Sequence, residues 1–228
     1  MLTTIFFDVD DTLLDFKKAE LVALSSTMKE LGFTPTEEML ERYHVINRLQ
    51  WELLERGELT REQVLRRRFT LLFEEYDLPC DVEKVKALYE HLLGVGHYFI
   101  PGAPELLEKL HRQYDLYLMT NGTASIQRRR LDSAGILPYF KDIFISHEIG
   151  FNKPDPRFFE HCFSSIDGFE KEKAVIIGDS LTSDIRGGNL VGVRTCWFNP
   201  SHSERQPIAV ADFEIDNLSA LPALLEKL

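Results

Sequence analysis

Cysteine is scarce in this chain: three residues among 228, the widely spaced Cys80, Cys162 and Cys196. That odd number builds no disulfide framework, and without a CxxC pair or Cys/His cluster it offers no zinc site. Basic residues are also in short supply, 26 Lys and Arg against 37 Asp and Glu, for a formal charge of −11. Such a balance repels nucleic-acid backbones and anionic membrane surfaces, so neither is an expected partner. The tightest basic cluster, Arg66-Arg67-Arg68, falls in an amphipathic helical stretch, where a solvated face explains at least part of it. No apolar run approaches the roughly 18 residues that a membrane span needs. The amino terminus leads straight into Thr4-Ile5-Phe6-Phe7-Asp8 with no basic or cleavage segment, so a reducing cytoplasm is the expected location. What is present is 44% hydrophobic and 11% aromatic residues, which excludes wholesale disorder.

Thr4–Val9 reads as a short buried strand running into acids. From Phe16 to Leu93 the pattern is helical. Leu21, Leu24, Met28 and Leu31 recur at helical spacing before Gly32, and Thr36 precedes Glu37-Glu38 as a helix start. Thr60-Arg61-Glu62-Gln63 is a capping-box pattern, and Asp81 suits the start of a fourth helix. After Gly94-Val95-Gly96 the grammar changes to alternating strands and helices, with apolar runs at Leu116–Met119, Ile143–Ser146, Ala174–Gly178 and Val193–Trp197. Alternation of this kind implies parallel pairing through right-handed crossovers. The expected architecture is a doubly wound, Rossmann-like α/β core of residues 1–15 and 98–228. An all-helical insertion, residues 16–97, interrupts it.

In open parallel sheets, ligands bind outside the carboxyl ends of the strands. Four such ends carry chemistry here: Asp8-Val9-Asp10-Asp11-Thr12, Thr120-Asn121, Lys153 in Asn152-Lys153-Pro154-Asp155, and Gly178-Asp179-Ser180 with Asp184. Each alone has a bland explanation, as a turn, a helix cap or a solvated lysine. Together they would crowd several carboxylates into one crevice, where mutual repulsion raises their pKa values. A divalent cation with oxygen ligands and an open water shell, such as Mg²⁺, would relieve that cost. Lys153 and the cation would offset the charge of a phosphate monoester, and the Thr120 hydroxyl with nearby backbone N–H groups could bind its oxygens. One carboxylate could attack phosphorus while a second handles the proton, and this chemistry leaves open which Asp does which.

The ordered set Asp8-x-Asp10-x-Thr12, Thr120, Lys153 and Gly178-Asp179-x-x-x-x-Asp184 resembles the haloacid dehalogenase superfamily. That resemblance implies Asp8 as nucleophile, Asp10 as general acid/base and Lys153 as the group that steadies the nucleophile and transferred group. Thr120, with Asn121 beside it, would bind the phosphoryl group. Mg²⁺ would be held by the Asp8 carboxylate, the Asp10 backbone carbonyl and Asp179, with Asp184 a ligand or a partner through water. The helical insertion would be the cap of this superfamily, closing over the site. An acid at the Asp10 position marks its phosphatases and phosphomutases, so halide removal is not expected.

Within the insertion, Asn47-Arg48-Leu49-Gln50-Trp51, Gly57 and Arg68-Phe69 resemble the cap of the house-cleaning pyrimidine 5′-nucleotidases. In the core, Thr120-Asn121-Gly122 with Ser125 to Arg130, Asn152–Asp155 and Thr195–Asn199 share that likeness. It implies a small-molecule phosphate ester, a nucleotide, as substrate. Trp51 would stack the base while Asn47 or Arg68 bonds its edge or sugar; the competing roles are cap packing for Trp51 and a surface charge for Arg68. A sugar phosphatase or phosphomutase of the same superfamily is the nearest alternative, since it shares these core residues. A receiver-type phospho-acceptor domain is the distant one, because its phosphorylated Asp lies on a later strand and it lacks a helical insertion.

Overall fold

β1 (Thr4–Phe7) is buried along its whole length, as a strand between two helical layers must be. The computed structural model describes residues 1–79 and 81–228. Cys80 lies outside the described residues, whereas Cys162 and Cys196 are buried free thiols. The chain divides into two compact units, Met1–Asp15 with Tyr98–Leu228, and Phe16–His97.

The second unit is helical: α1 (Phe16–Glu30), α2 (Glu37–Glu55), α3 (Arg61–Glu75) and α4 (Val82–Leu93). Side chains close three of the helix starts. Thr36 accepts from the Met39 N–H, Thr60 and Gln63 form a reciprocal capping box, and Asp81 accepts from the Lys84 N–H. Such caps satisfy amides that have no partner within the helix. The unit's core centres on three fully buried rings, Tyr43, Phe69 and Tyr89, with centroids 5.1 to 5.7 Å apart.

The first unit continues through α5 (Ala103–Leu110), β2 (Asp115–Thr120), α6 (Ala124–Ala134), β3 (Asp142–Ile145), α7 (Ser146–Ile149) and α8 (Pro156–Ser164). There follow β4 (Ala174–Gly178), a π-helical turn at Leu181–Ile185, α9 (Arg186–Val191), β5 (Arg194–Phe198), β6 (Phe213–Ile215) and α10 (Leu221–Leu225). The six strands are all parallel in the order β3-β2-β1-β4-β5-β6. Alternate residues of β1 feed opposite layers, as the pleat requires. Ile5 and Phe7 join Leu107, Leu118 and Leu131 on one face, while Phe6 joins Met119, Phe158 and Phe159 on the other. The chain direction across the sheet reverses at β1, so Asp8 emerges at the switch point where such sheets bind ligands. The three-residue β6 is not foreseeable from Phe213-Glu214-Ile215, a run too short to show periodicity. No helix among the described residues is long and apolar enough to cross a membrane.

α9 lies close on the sheet because Gly188 has no side chain. A Cβ there would stand 2.3 Å from Thr195 Cγ2. Gly188→Ala should therefore destabilise the protein by about 1–3 kcal/mol, the usual range for overpacking. A melting temperature within a degree of wild type would show that α9 can lift off without loss.

Candidate active site

The ends of β1, β2 and β4 and the loop after α7 place Asp8, Thr120, Asp179 and Lys153 together. Lys153 is 1% exposed, and its ammonium has three close acceptors. They are Asp8 Oδ1 at 2.6 Å, Asp184 Oδ1 at 2.6 Å and the Met119 carbonyl at 2.9 Å. An ammonium has three protons, so this tripod uses all of them. Asn121 fixes the loop that delivers the lysine. Its Oδ1 accepts from the Lys153 N–H at 2.8 Å, and its Nδ2 donates to the Lys153 carbonyl at 2.9 Å.

Thr12, fully buried, has its hydroxyl 3.3 Å from Asp8 Oδ2 and 3.4 Å from Asp179 Oδ1, and accepts from the Asp179 N–H at 3.1 Å. Trp197 Nε1 donates to the Asp179 carbonyl at 2.7 Å, and the Ser180 N–H donates to Asp184 Oδ2 at 3.1 Å. The closeness of Asp184 depends on Gly178, where a Cβ would stand 2.2 Å from the Asp184 carboxylate. Gly178 in the sequence thus has a steric reason.

Oxygens of Asp8, Asp179 and Asp184 lie within 4.8 Å of one another. Three carboxylates therefore face one ammonium. Burial, with Asp184 and Asp10 nearby, pushes the Asp8 carboxyl up to about 8 despite Lys153. Burial and the charges of Asp8, Asp11 and Asp184 hold Asp179 well above the usual carboxylate range. Burial alone would lower the Lys153 ammonium, but Asp184 and Asp8 more than offset it and raise it. A cluster of hard oxygen donors with surplus negative charge fits a divalent cation such as Mg²⁺.

Asp10 points to a different set of partners. Its Oδ1 is ion-paired to Arg130 Nη1, and its Oδ2 accepts from Gln127 Nε2 at 2.8 Å. Gln127 Nε2 also donates to Thr120 Oγ1 at 2.7 Å. Thr120 Oγ1 accepts from the Gly122 N–H as well, at 3.2 Å, which leaves its hydroxyl proton to donate to an anion. Neither Gln127 nor Arg130 receives a role from the sequence, although both lie in the Ser125–Arg130 stretch that shares the nucleotidase likeness; a further signal is their i, i+3 spacing on a helix that starts just after Thr120.

In the helical unit the three candidate residues form one network. Glu20, fully buried, meets His44 Nδ1 at 2.6 Å and Asn47 Nδ2 at 2.5 Å. Asn47 Oδ1 accepts from Trp51 Nε1 at 3.1 Å and Arg68 Nη1 at 3.2 Å. Arg68, 1% exposed, lies over the Phe69 and Tyr89 rings, so it is not a surface charge. Asn47 is likewise buried, and only Trp51 of the three is half-exposed, with the Arg61 guanidinium 5.4 Å from its ring centroid.

Residues 5–198 match the family described as haloacid dehalogenase-like hydrolase, and the chain belongs to that family. It is 41% identical to YfnB of Bacillus subtilis, named a HAD-hydrolase, over 97% of this chain and 94% of that one. A crystal structure of YfnB, described as bound to magnesium and as revealing interdomain movement, superposes with a TM-score of 0.94 over 98% of both chains. The pyrimidine 5′-nucleotidase PynA of Streptococcus pneumoniae is 38% identical over 98% of this chain and 94% of its own. The pyrimidine 5′-nucleotidase YjjG of Escherichia coli is 28% identical over 98% and 97%.

The raised carboxyls give a signed expectation. A group whose folded pKa is raised stabilises fully below its ordinary value and loses that contribution as pH rises through the folded value. For Asp8 the window runs from about 4 to about 8, and Asp179 acts in the same direction. In chelator, the melting temperature should fall as pH rises across this window. Added Mg²⁺ at a hundredfold excess over its Kd at pH 8 should stabilise by about 2.7 kcal/mol, and the same concentration should stabilise less at pH 5.5. Equal Mg²⁺ effects at both pH values would mean that these carboxylates do not share a cation.

Proposed function

We propose that the chain is a cytoplasmic, Mg²⁺-dependent phosphomonoesterase that works through an aspartyl phosphate and prefers pyrimidine nucleoside 5′-monophosphates. The observation that carries this reading is the Asp8, Asp179 and Asp184 cluster tied to Lys153, with Asp10 two residues beyond the nucleophile. The names of PynA and YjjG supply the nucleotide preference.

Asp8, Asp179 and the Asp10 backbone carbonyl would hold the cation, with Asp184 bound directly or through water. When bound, the cation would offset phosphate charge and lower repulsion between the ester and its nucleophile. The chain's own groups do the rest. Asp8, steadied by Lys153, attacks phosphorus in line, while Thr120 donates its hydroxyl proton to a phosphoryl oxygen. Asp10 gives a proton to the departing ester oxygen. It then takes one from the water that attacks the aspartyl phosphate, and the P–O bond to Asp8 breaks to restore the carboxylate.

In the helical unit, Trp51 is the residue suited to base stacking. Asn47, buried, would act on the base or sugar chiefly through the orientation it imposes on the indole, while the buried Arg68 bonds the same Asn47 oxygen.

A phosphate-release screen over nucleoside monophosphates and sugar phosphates, with Mg²⁺ and with chelator, tests the reading. Pyrimidine nucleotides should give the highest kcat/KM, and chelator should abolish release. Interconversion of sugar phosphates without net phosphate release would support the phosphomutase instead. Asp8→Asn should lower turnover by orders of magnitude in a folded protein, and retention of about a tenth of the activity would sink the covalent mechanism. Trp51→Ala should lower kcat/KM for a nucleoside monophosphate by about 1–3 kcal/mol, roughly 5–150-fold, and hardly affect p-nitrophenyl phosphate. Equal losses on both, with a lower melting temperature, would assign Trp51 to packing.

A further inference from the structure

α6 presents two polar side chains that a helix face would not bury without a use for them. Arg130 is fully buried and Gln127 is 2% exposed. A guanidinium removed from water is costly unless paired. Here Nη1 pairs with Asp10 Oδ1 and donates to Gln127 Oε1 at 2.9 Å. That second bond decides how the Gln127 amide is turned, because an arginine can only donate. Nε2 is therefore directed at the remaining acceptors, Asp10 Oδ2 at 2.8 Å and Thr120 Oγ1 at 2.7 Å. Gln127 reaches them because Gly122 has no side chain; a Cβ there would stand 2.4 Å from Gln127 Cγ.

We propose that Gln127 and Arg130 are positioning residues: a clamp that holds both carboxylate oxygens of Asp10 in the orientation for proton transfer and ties that orientation to Thr120. The proposal rests on the phosphomonoesterase reading above. Asp10 stands on a tight turn, beside Asp11 at φ 60°, and its side chain is 27% exposed. Left to itself, such a carboxylate would rotate among several positions. The clamp occupies one lone pair on each oxygen and leaves another for the reacting proton. Holding a catalytic group near its productive geometry removes orientational entropy from the barrier.

Both chemical steps depend on that geometry. In the first, the Asp8–phosphorus bond forms as the ester P–O bond breaks, and the leaving oxygen takes the Asp10 proton. In the second, a water oxygen bonds to phosphorus, the electron pair of the broken bond returns to Asp8, and the water's proton passes to Asp10. p-Nitrophenolate leaves without help from an acid, so with p-nitrophenyl phosphate only the second step should suffer.

The test uses Gln127→Met, Arg130→Met and Arg130→Lys in the full chain with Mg²⁺. General acid/base groups contribute about 10²–10⁴-fold, and loss of positioning should forfeit roughly 10–100-fold of it in kcat, with KM changed little. With p-nitrophenyl phosphate, the Met variants should show a burst of about one p-nitrophenolate per enzyme before a slow steady state, as the aspartyl phosphate accumulates. Arg130→Lys should recover part of the loss. Steady-state rates within about twofold of wild type would overturn the clamp. So would equal losses on both substrates with no burst and a lower melting temperature, the signature of packing alone. If Arg130→Met does not fold, Gln127→Met decides the matter. A wild type that turns over while the variants fail these expectations refutes only the clamp. A wild type that releases no phosphate refutes the parent reading and the clamp with it.

Discussion

The Lys153 ammonium is the interaction on which the site depends. It draws together the end of β1 through Asp8, the end of β2 through the Met119 carbonyl, and the turn after β4 through Asp184. Without that charge, three carboxylates, two of them buried, would lie within 4.8 Å of each other with no ammonium to offset them. Removing one partner from a buried charged group costs far more than a surface pair is worth. The tripod thus joins stability to the proposed function: the same contacts that offset the Asp8 charge would also aim it.

Around this centre the fold places small residues where charge must come close. Gly178 lets the Asp184 carboxylate lie against the end of β4, and Gly122 admits the Gln127 amide beside Thr120. Asn121 and Trp197 act on backbone, one holding the Lys153 peptide and the other the Asp179 carbonyl. The candidate catalytic side chains are fixed by groups that would take no part in bond-making, which is how preorganised sites gain precision. The helical unit follows the same logic, with a buried Glu20 orienting Asn47, and Asn47 in turn orienting Trp51 and Arg68.

Much of this was legible in the chain. Thr36, Thr60-Gln63 and Asp81 cap helices because short polar side chains answer amides a few residues away, a relation contained in local sequence. The alternation of apolar runs with helical segments implies the parallel sheet, and strand ends are where its chemistry must lie. That reasoning brought Asp8, Thr120, Lys153, Asp179 and Asp184 into view. β6 escaped because three residues carry no period, and it is held by pairing with β5 rather than by its own pattern.

The two arginine triplets show where local sequence stops. Arg66-Arg67-Arg68 and Arg128-Arg129-Arg130 are three identical residues each, and the side chains alone do not say which differs. In each, helix phase and the surrounding packing bury the third and leave the first in exposed ion pairs. Arg68 then meets Asn47 across 21 residues, and Arg130 meets Asp10 across 120. The sequence by itself determined the helix starts, the strand order of chemistry and the acidic motif, because these follow from neighbours and periodicity. Only the tertiary structure decided which arginine carries a buried charge and which carboxylate it answers, because partners so far apart in the chain are chosen by how the helices dock.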